Sequence, residues 1–142
     1  KNHAKDQATT TPAISVLYAL DVQLDRMLDE GMEERWARHL RMAKRTWAWV
    51  DEMRDRGVGL QVVAPEGFRS PAVTTVRTPE GLTGPEVVRG VAERAWVIGG
   101  GYGKLKPDTF RIGHMGDHTE EELEGLLEVL TEVLMGTGEA VR

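Results

Sequence analysis

The feature that most constrains this chain is a change of hydrophobic period at Gly57. Ahead of it, Ile14, Leu17, Tyr18, Val22, Leu24, Met27 and Leu28 recur at helical spacing. Thr11-Pro12 opens that helix, Thr supplying an N-cap oxygen and Pro a ring that suits the first helical position. Gly31 then stops or kinks it. A second helix is predicted over Met32–Arg56, with Trp36, Leu40, Ala43, Trp47, Val50 and Met53 on one stripe and Gly57 closing it. Trp49 falls off that stripe and is expected at an interface or boundary. Beyond Gly57 the runs become short, β-branched and bounded by Pro and Gly. Leu60–Ala64, Val73–Thr78, Trp96–Ile98 and Thr109–Gly113 read as strands, with Trp96–Ile98 running into Gly99-Gly100-Gly101. Thr83-x-x-Glu86 and Thr119-x-x-Glu122 are capping boxes that open a middle helix and a last helix from Leu123 to about Met135. Two long N-terminal helices followed by β-β-α-β-β-α predict an α+β fold with a small, mostly antiparallel sheet and helices over one face.

A chain of 142 residues suffices for one domain with a real core and is short for two. Its net charge of −5, with both signs interspersed, lacks the basic footprint of a nucleic-acid binder. The cluster Arg35, Arg38, Arg41, Lys44 and Arg45 has acids on either side and reads as a solvated helix face. Without cysteine there is neither disulfide nor thiol chemistry. No apolar run approaches the roughly 20 residues a membrane span needs, and no signal peptide is visible, so a cytoplasmic location is expected. Lys1–Thr9 reads as mid-protein linker, which a processed product or a fragment would explain.

The stretch Val97–His118 is the densest in chemistry. Three consecutive glycines serve either as a flexible connection or as a place where backbone approaches a ligand. They fit neither a Rossmann fingerprint nor a phosphate-binding loop. In Thr109–Gly113 the period of two puts Phe110 and Ile112 on one face and Thr109, Arg111 and Gly113 on the other. Arg111 then either pairs with a carboxylate in a cleft, through its planar fork, or is an exposed edge arginine or a salt bridge to an acidic helix. His114, Asp117 and His118 do not make a metal site, because Gly116 breaks the helix that the i, i+4 spacing of the histidines requires.

Five segments, in order, resemble a known family: Thr10-Thr11-Pro12-Ala13-Ile14-Ser15, Tyr18-Ala19-Leu20, Gly31-Met32-Glu33, Gly99-Gly100-Gly101-Tyr102-Gly103, and Phe110-Arg111-Ile112-Gly113-His114-Met115-Gly116. They are similar to class V (fold-type I) pyridoxal-phosphate aminotransferases of the alanine–glyoxylate/serine–pyruvate group, C-terminal part only. The resemblance runs from about Gln7 to Leu134. It implies that Arg111 holds the substrate's α-carboxylate, that Gly100 and Gly101 border the site, and that Gln7 and Thr10 reach the phosphate of pyridoxal 5′-phosphate in the partner of a homodimer. The chain departs from many bacterial relatives in reading Gln-Ala-Thr-Thr-Thr-Pro at Gln7–Pro12.

The resemblance also implies what is missing. The family's Schiff-base lysine, the Asp at the pyridine nitrogen and the ring-stacking residue lie in a larger N-terminal domain, and none of Lys1, Lys5, Lys44, Lys104 and Lys106 has the family's Ser-x-Lys context. Residues 1–30 are then an interdomain segment and linking helix, and residues 31–142 the C-terminal small domain. The complete enzyme would move an amino group between a small amino acid (serine, alanine or aspartate) and a 2-oxo acid (glyoxylate or pyruvate), and this chain alone is expected to be inactive. The alternative is a free-standing, non-catalytic binding or oligomerisation module.

Overall fold

The structure is a computed structural model that describes residue 5 and residues 10–136. The chain divides into two compact units at Trp36/Ala37. In the first, helix α1 spans Ile14–Glu30, later than the Thr11-Pro12 signal suggests. Pro12 does not start the helix. Its carbonyl accepts from Ile14 N–H at 3.0 Å, and Ala13, at φ −78° and ψ 76°, sits at the centre of an inverse γ-turn. Thr11 therefore caps nothing, and helical bonding begins from the Ala13 carbonyl. No residue of α1 is buried, and Tyr18 and Leu28 are about three-quarters exposed at 70% and 73%. Gly31, at φ +82°, breaks the chain between α1 and α2 (Met32–Asp55). Arg35, assigned above to a solvated face, is instead buried and donates to Glu30 at 2.7 Å.

The second unit holds a four-stranded antiparallel sheet: β1 (Gln61–Val62), β2 (Val73–Arg77), β3 (Gly99–Gly100) and β4 (Thr109–Gly113), in the order β1-β2-β4-β3. Helices α3 (Gly84–Ala92) and α4 (Glu120–Gly136) complete it. Val76, Phe110 and Ile112 from the sheet, Val87 and Val91 from α3, and Leu123, Leu127 and Leu130 from α4 share one core with Met42, Trp49, Val50 and Met53 of α2. The buried stripe of α2 thus runs Met42, Ala43, Thr46, Trp49, Val50, Met53, rotated from the predicted one. Trp49 is only 3% exposed, and its indole N–H donates to Thr131 Oγ1 at 3.0 Å; Trp36 is 61% exposed. An aromatic body with its one donor satisfied is suited to a core, so the boundary position expected for Trp49 is wrong.

The helix ends follow two versions of one device. At α2, Val58 N–H bonds Met53 O and Gly57 N–H bonds Arg54 O, a Schellman motif with Gly57 at φ +85°. At α3, Trp96 N–H bonds Val91 O and Ala95 N–H bonds Ala92 O, the same motif with a non-glycine, Ala95, at φ +62°. That motif ties Trp96 back to its helix. The strand expected at Trp96–Ile98 is therefore displaced onto the glycines, and β3 is Gly99–Gly100. Likewise β1 is shorter than Leu60–Ala64, since Pro65 has no N–H to extend a ladder. Both capping boxes form: Thr83 with Glu86, and Thr119 with Glu122. The basic face of α2 is also more than solvated, because Arg41 and Arg45 bond Glu120 and Glu124, one turn apart on α4.

Candidate functional site

Strand β4 is interior, flanked by β2 and β3, and its register sets Arg111 opposite Thr75 on one side and Gly99 on the other. Phe110 and Ile112 point into the core, so Arg111 lies on the sheet's other face. Its side chain crosses Gly99, where a Cβ would meet Arg111 Cβ and Nε at 3.4 Å and Nη2 at 3.5 Å. Beyond Gly99, Arg111 Nε donates to the Gly100 carbonyl at 2.7 Å. Among the described residues no carboxylate pairs with Arg111, and Nη1 and Nη2 have no protein partner. Arg111 is therefore not at a sheet edge, and among the described residues it makes no salt bridge to an acidic helix. It is a half-buried cation whose side-on donor is engaged by the Gly100 carbonyl.

The glycines are not a loose connection. Gly99 and Gly100 form the edge strand, and Gly101 is packed: a Cβ there would collide with Thr109 Oγ1 and come within 2.6 Å of the Leu105 carbonyl oxygen. Arg111 and Gly100 are thus brought together directly, while Gly101 faces Thr109 rather than Arg111. Thr10 belongs to the first unit and is exposed; Gln7 lies outside the described residues. Lys104 and Lys106 are exposed at the short turn Gly103–Leu105 that follows the glycines. A cleft of about 330 Å³ beside Gly99 and Gly113 is mainly apolar, with Met42, Trp96, Leu123 and Leu126 in its wall, and does not include Arg111.

His114 and His118 are separated by the fold. His118 is exposed and sits 3.4 Å from Glu122. His114 is fully buried, its Nε2 2.9 Å from Thr74 Oγ1, which accepts from the Trp47 indole N–H at 2.9 Å. Its Nδ1 has no hydrogen-bond partner among the described residues. Burial, and secondarily His39, push the imidazole down to about 4, so it is neutral near pH 7. No group of three metal-ligating side chains gathers among the described residues. No helix among them is long and apolar enough to cross a membrane.

Two participants were not singled out by sequence reasoning: Gly99, the floor under Arg111, and Thr109, buried beneath the Gly103–Leu105 turn. Period two placed Thr109 beside Arg111, but only the β3–β4 register reveals Gly99 as its cross-strand partner.

No family model matches the chain. It is 37% identical over 140 residues to an uncharacterized aminotransferase of Methanocaldococcus jannaschii, covering 97% of this chain and 35% of that protein. It is 36% identical to serine–glyoxylate aminotransferase of Arabidopsis thaliana, covering 90% of this chain and 31% of the relative. Its fold is similar to that of an alanine–glyoxylate aminotransferase from Nostoc sp., with a TM-score of 0.80 at 30% identity over 92% of this chain and 34% of that one. The chain therefore spans about a third of the length of the relatives it matches.

Proposed function

We propose that this chain, whose relatives in sequence and in fold are class V aminotransferases, is the C-terminal part of a pyridoxal-phosphate-dependent aminotransferase and supplies its carboxylate anchor. The whole enzyme moves an amino group between a small amino acid (serine, alanine or aspartate) and a 2-oxo acid (glyoxylate or pyruvate). The observation that carries this reading is the state of Arg111: Nε held by the Gly100 carbonyl at 2.7 Å and, among the described residues, no acid beside it and no partner for its two terminal nitrogens. A carboxylate then docks end-on, accepting one bond each from Nη1 and Nη2. Donor and acceptor both carry an α-carboxylate, so one arginine serves both half-reactions. Gly100 fixes the guanidinium, and Gly101 shapes the border of the site.

This chain's residues fit the cofactor at its phosphate alone. Thr10 offers an exposed hydroxyl, and Gln7 would add an amide donor. When bound, pyridoxal 5′-phosphate supplies the electron sink for chemistry at the substrate's α-carbon. The lysine amine that shuttles the proton belongs to the N-terminal large domain, so this chain alone is inactive. Residues 1–30 link to that domain and residues 31–142 form the small domain, in a cytoplasmic homodimer where Gln7 and Thr10 reach the partner's site. The uncovered apolar side chains of α1 support a larger partner surface and speak against the free-standing module.

The test is Arg111→Leu in the complete enzyme. Loss of a bidentate charge-assisted pair raises KM for the amino acid about 100-fold while cofactor retention is unchanged. An unaltered KM would take Arg111 out of the site.

A further inference from the structure

Arg111 is aimed by a carbonyl on an edge strand only two residues long, and such an edge is held by little ladder bonding of its own. Something else must fix the Gly100 oxygen. The chain leaves β3 at Gly101, makes the turn Gly103–Leu105, and returns to β4 at Thr109. Thr109 ties both parts of this excursion. Its carbonyl accepts from Gly101 N–H at 3.0 Å, and its hydroxyl donates to the Leu105 carbonyl at 2.5 Å. The residue is completely buried.

Two glycines close on it, one at its hydroxyl and one at its backbone. A Cβ at Gly101 would strike its hydroxyl oxygen, and a Cβ at Gly84, the first residue of α3, would lie 2.7 Å from its carbonyl carbon. Gly84 N–H also bonds the Pro107 carbonyl at 2.9 Å, so the helix start clamps the same return segment. The turn itself needs Gly103 at φ +56°.

We propose that Thr109 is a positioning residue for substrate binding: by latching Leu105 through its hydroxyl, beside the backbone bond that Gly101 makes to its carbonyl, it sets where the Gly100 carbonyl stands, and through that carbonyl it aims the Arg111 fork. The assignment rests on Arg111 being the carboxylate anchor. It predicts a specific energetic signature, because a residue that acts only through Arg111 has no effect on binding once Arg111 is gone.

The experiment uses the complete, cofactor-loaded enzyme. Thr109→Val keeps the β-branched shape and removes the hydroxyl. It raises KM for the amino acid about fivefold with kcat within about twofold, the size expected for one lost hydrogen bond. Thr109→Ser restores the wild-type KM. Placed on Arg111→Leu, Thr109→Val has no further effect on KM. If Thr109→Val does not yield folded enzyme, Gly103→Ala strains the same turn at an exposed site where a Cβ meets nothing within 4 Å, and it gives the same KM rise that Arg111→Leu abolishes. The proposal is overturned by an unchanged KM in the variant that folds, by a rise that persists in the Arg111→Leu background, or by failure of Thr109→Ser to restore it. Arg111→Leu with wild-type KM would instead overturn the carboxylate assignment itself, which separates the two failures.

Discussion

His114 makes a stability prediction whose sign and size both follow from its surroundings. The ring is fully buried, with Nδ1 lacking a partner among the described residues and Nε2 engaged by Thr74. Its pKa falls from 6.5 to about 4, first through burial and then through His39. The unfolded chain therefore binds a proton that the folded chain refuses. The contribution of His114 is intact above pH 6.5 and is lost as pH falls toward 4. A single such site loses about 1.4 kcal/mol per pH unit within that window, or about 2 kcal/mol between roughly pH 7 and pH 4.5. The capping carboxylates Glu86 and Glu122 are depressed below 4.5, mainly by their bonds to Thr83 and Thr119, so their contribution is lost as pH falls below about 4.5 and overlaps only the acid end of the window. The assay is urea unfolding of this chain at a series of pH values, followed by tryptophan fluorescence. Wild type weakens steadily across the window. His114→Gln, whose amide does not titrate there, is less stable at neutral pH but has a flatter slope. Equal slopes in the two proteins would refute the claim that a buried, neutral His114 carries the pH dependence.

Other outcomes can be checked on the same material. Trp49→Ala empties a core site and loses the bond to Thr131, costing about 3–5 kcal/mol in urea unfolding; Trp36→Ala, at a position 61% exposed, costs less than about 1 kcal/mol. Equal effects would mean the stripe of α2 is assigned wrongly. Ala95→Gly relieves a left-handed alanine at φ +62° and raises stability by about 0.5–1 kcal/mol, read as a higher midpoint of thermal unfolding; a lower midpoint would contradict the Schellman geometry at the end of α3.

Much of the architecture is written locally. The two capping boxes, the glycine stops at Gly31 and Gly57, and the strand Thr109–Gly113 with its inward Phe110 and Ile112 all follow from neighbours within about one helical turn or one strand repeat, and all recur in the fold. Arg111 is legible for the same reason, because period two separates it from the core face without reference to any other element. What fails is rotational or depends on competition between bonds. The apolar residues of α2 surround so much of the helix that its buried side is chosen by the partners available, α4 and the sheet, and Thr131 draws in Trp49 where the stripe had put Trp47. The start of β3 is decided by a helix end that claims Trp96, and the start of α1 by a γ-turn at Ala13. The site shows the same division. Sequence alone determined that a lone arginine would stand beside small residues on a strand; tertiary structure decided that Gly99 would lie beneath it, Gly100 would hold its Nε and Thr109 would hold Gly101, because these contacts arise only when β3 and β4 are brought into register.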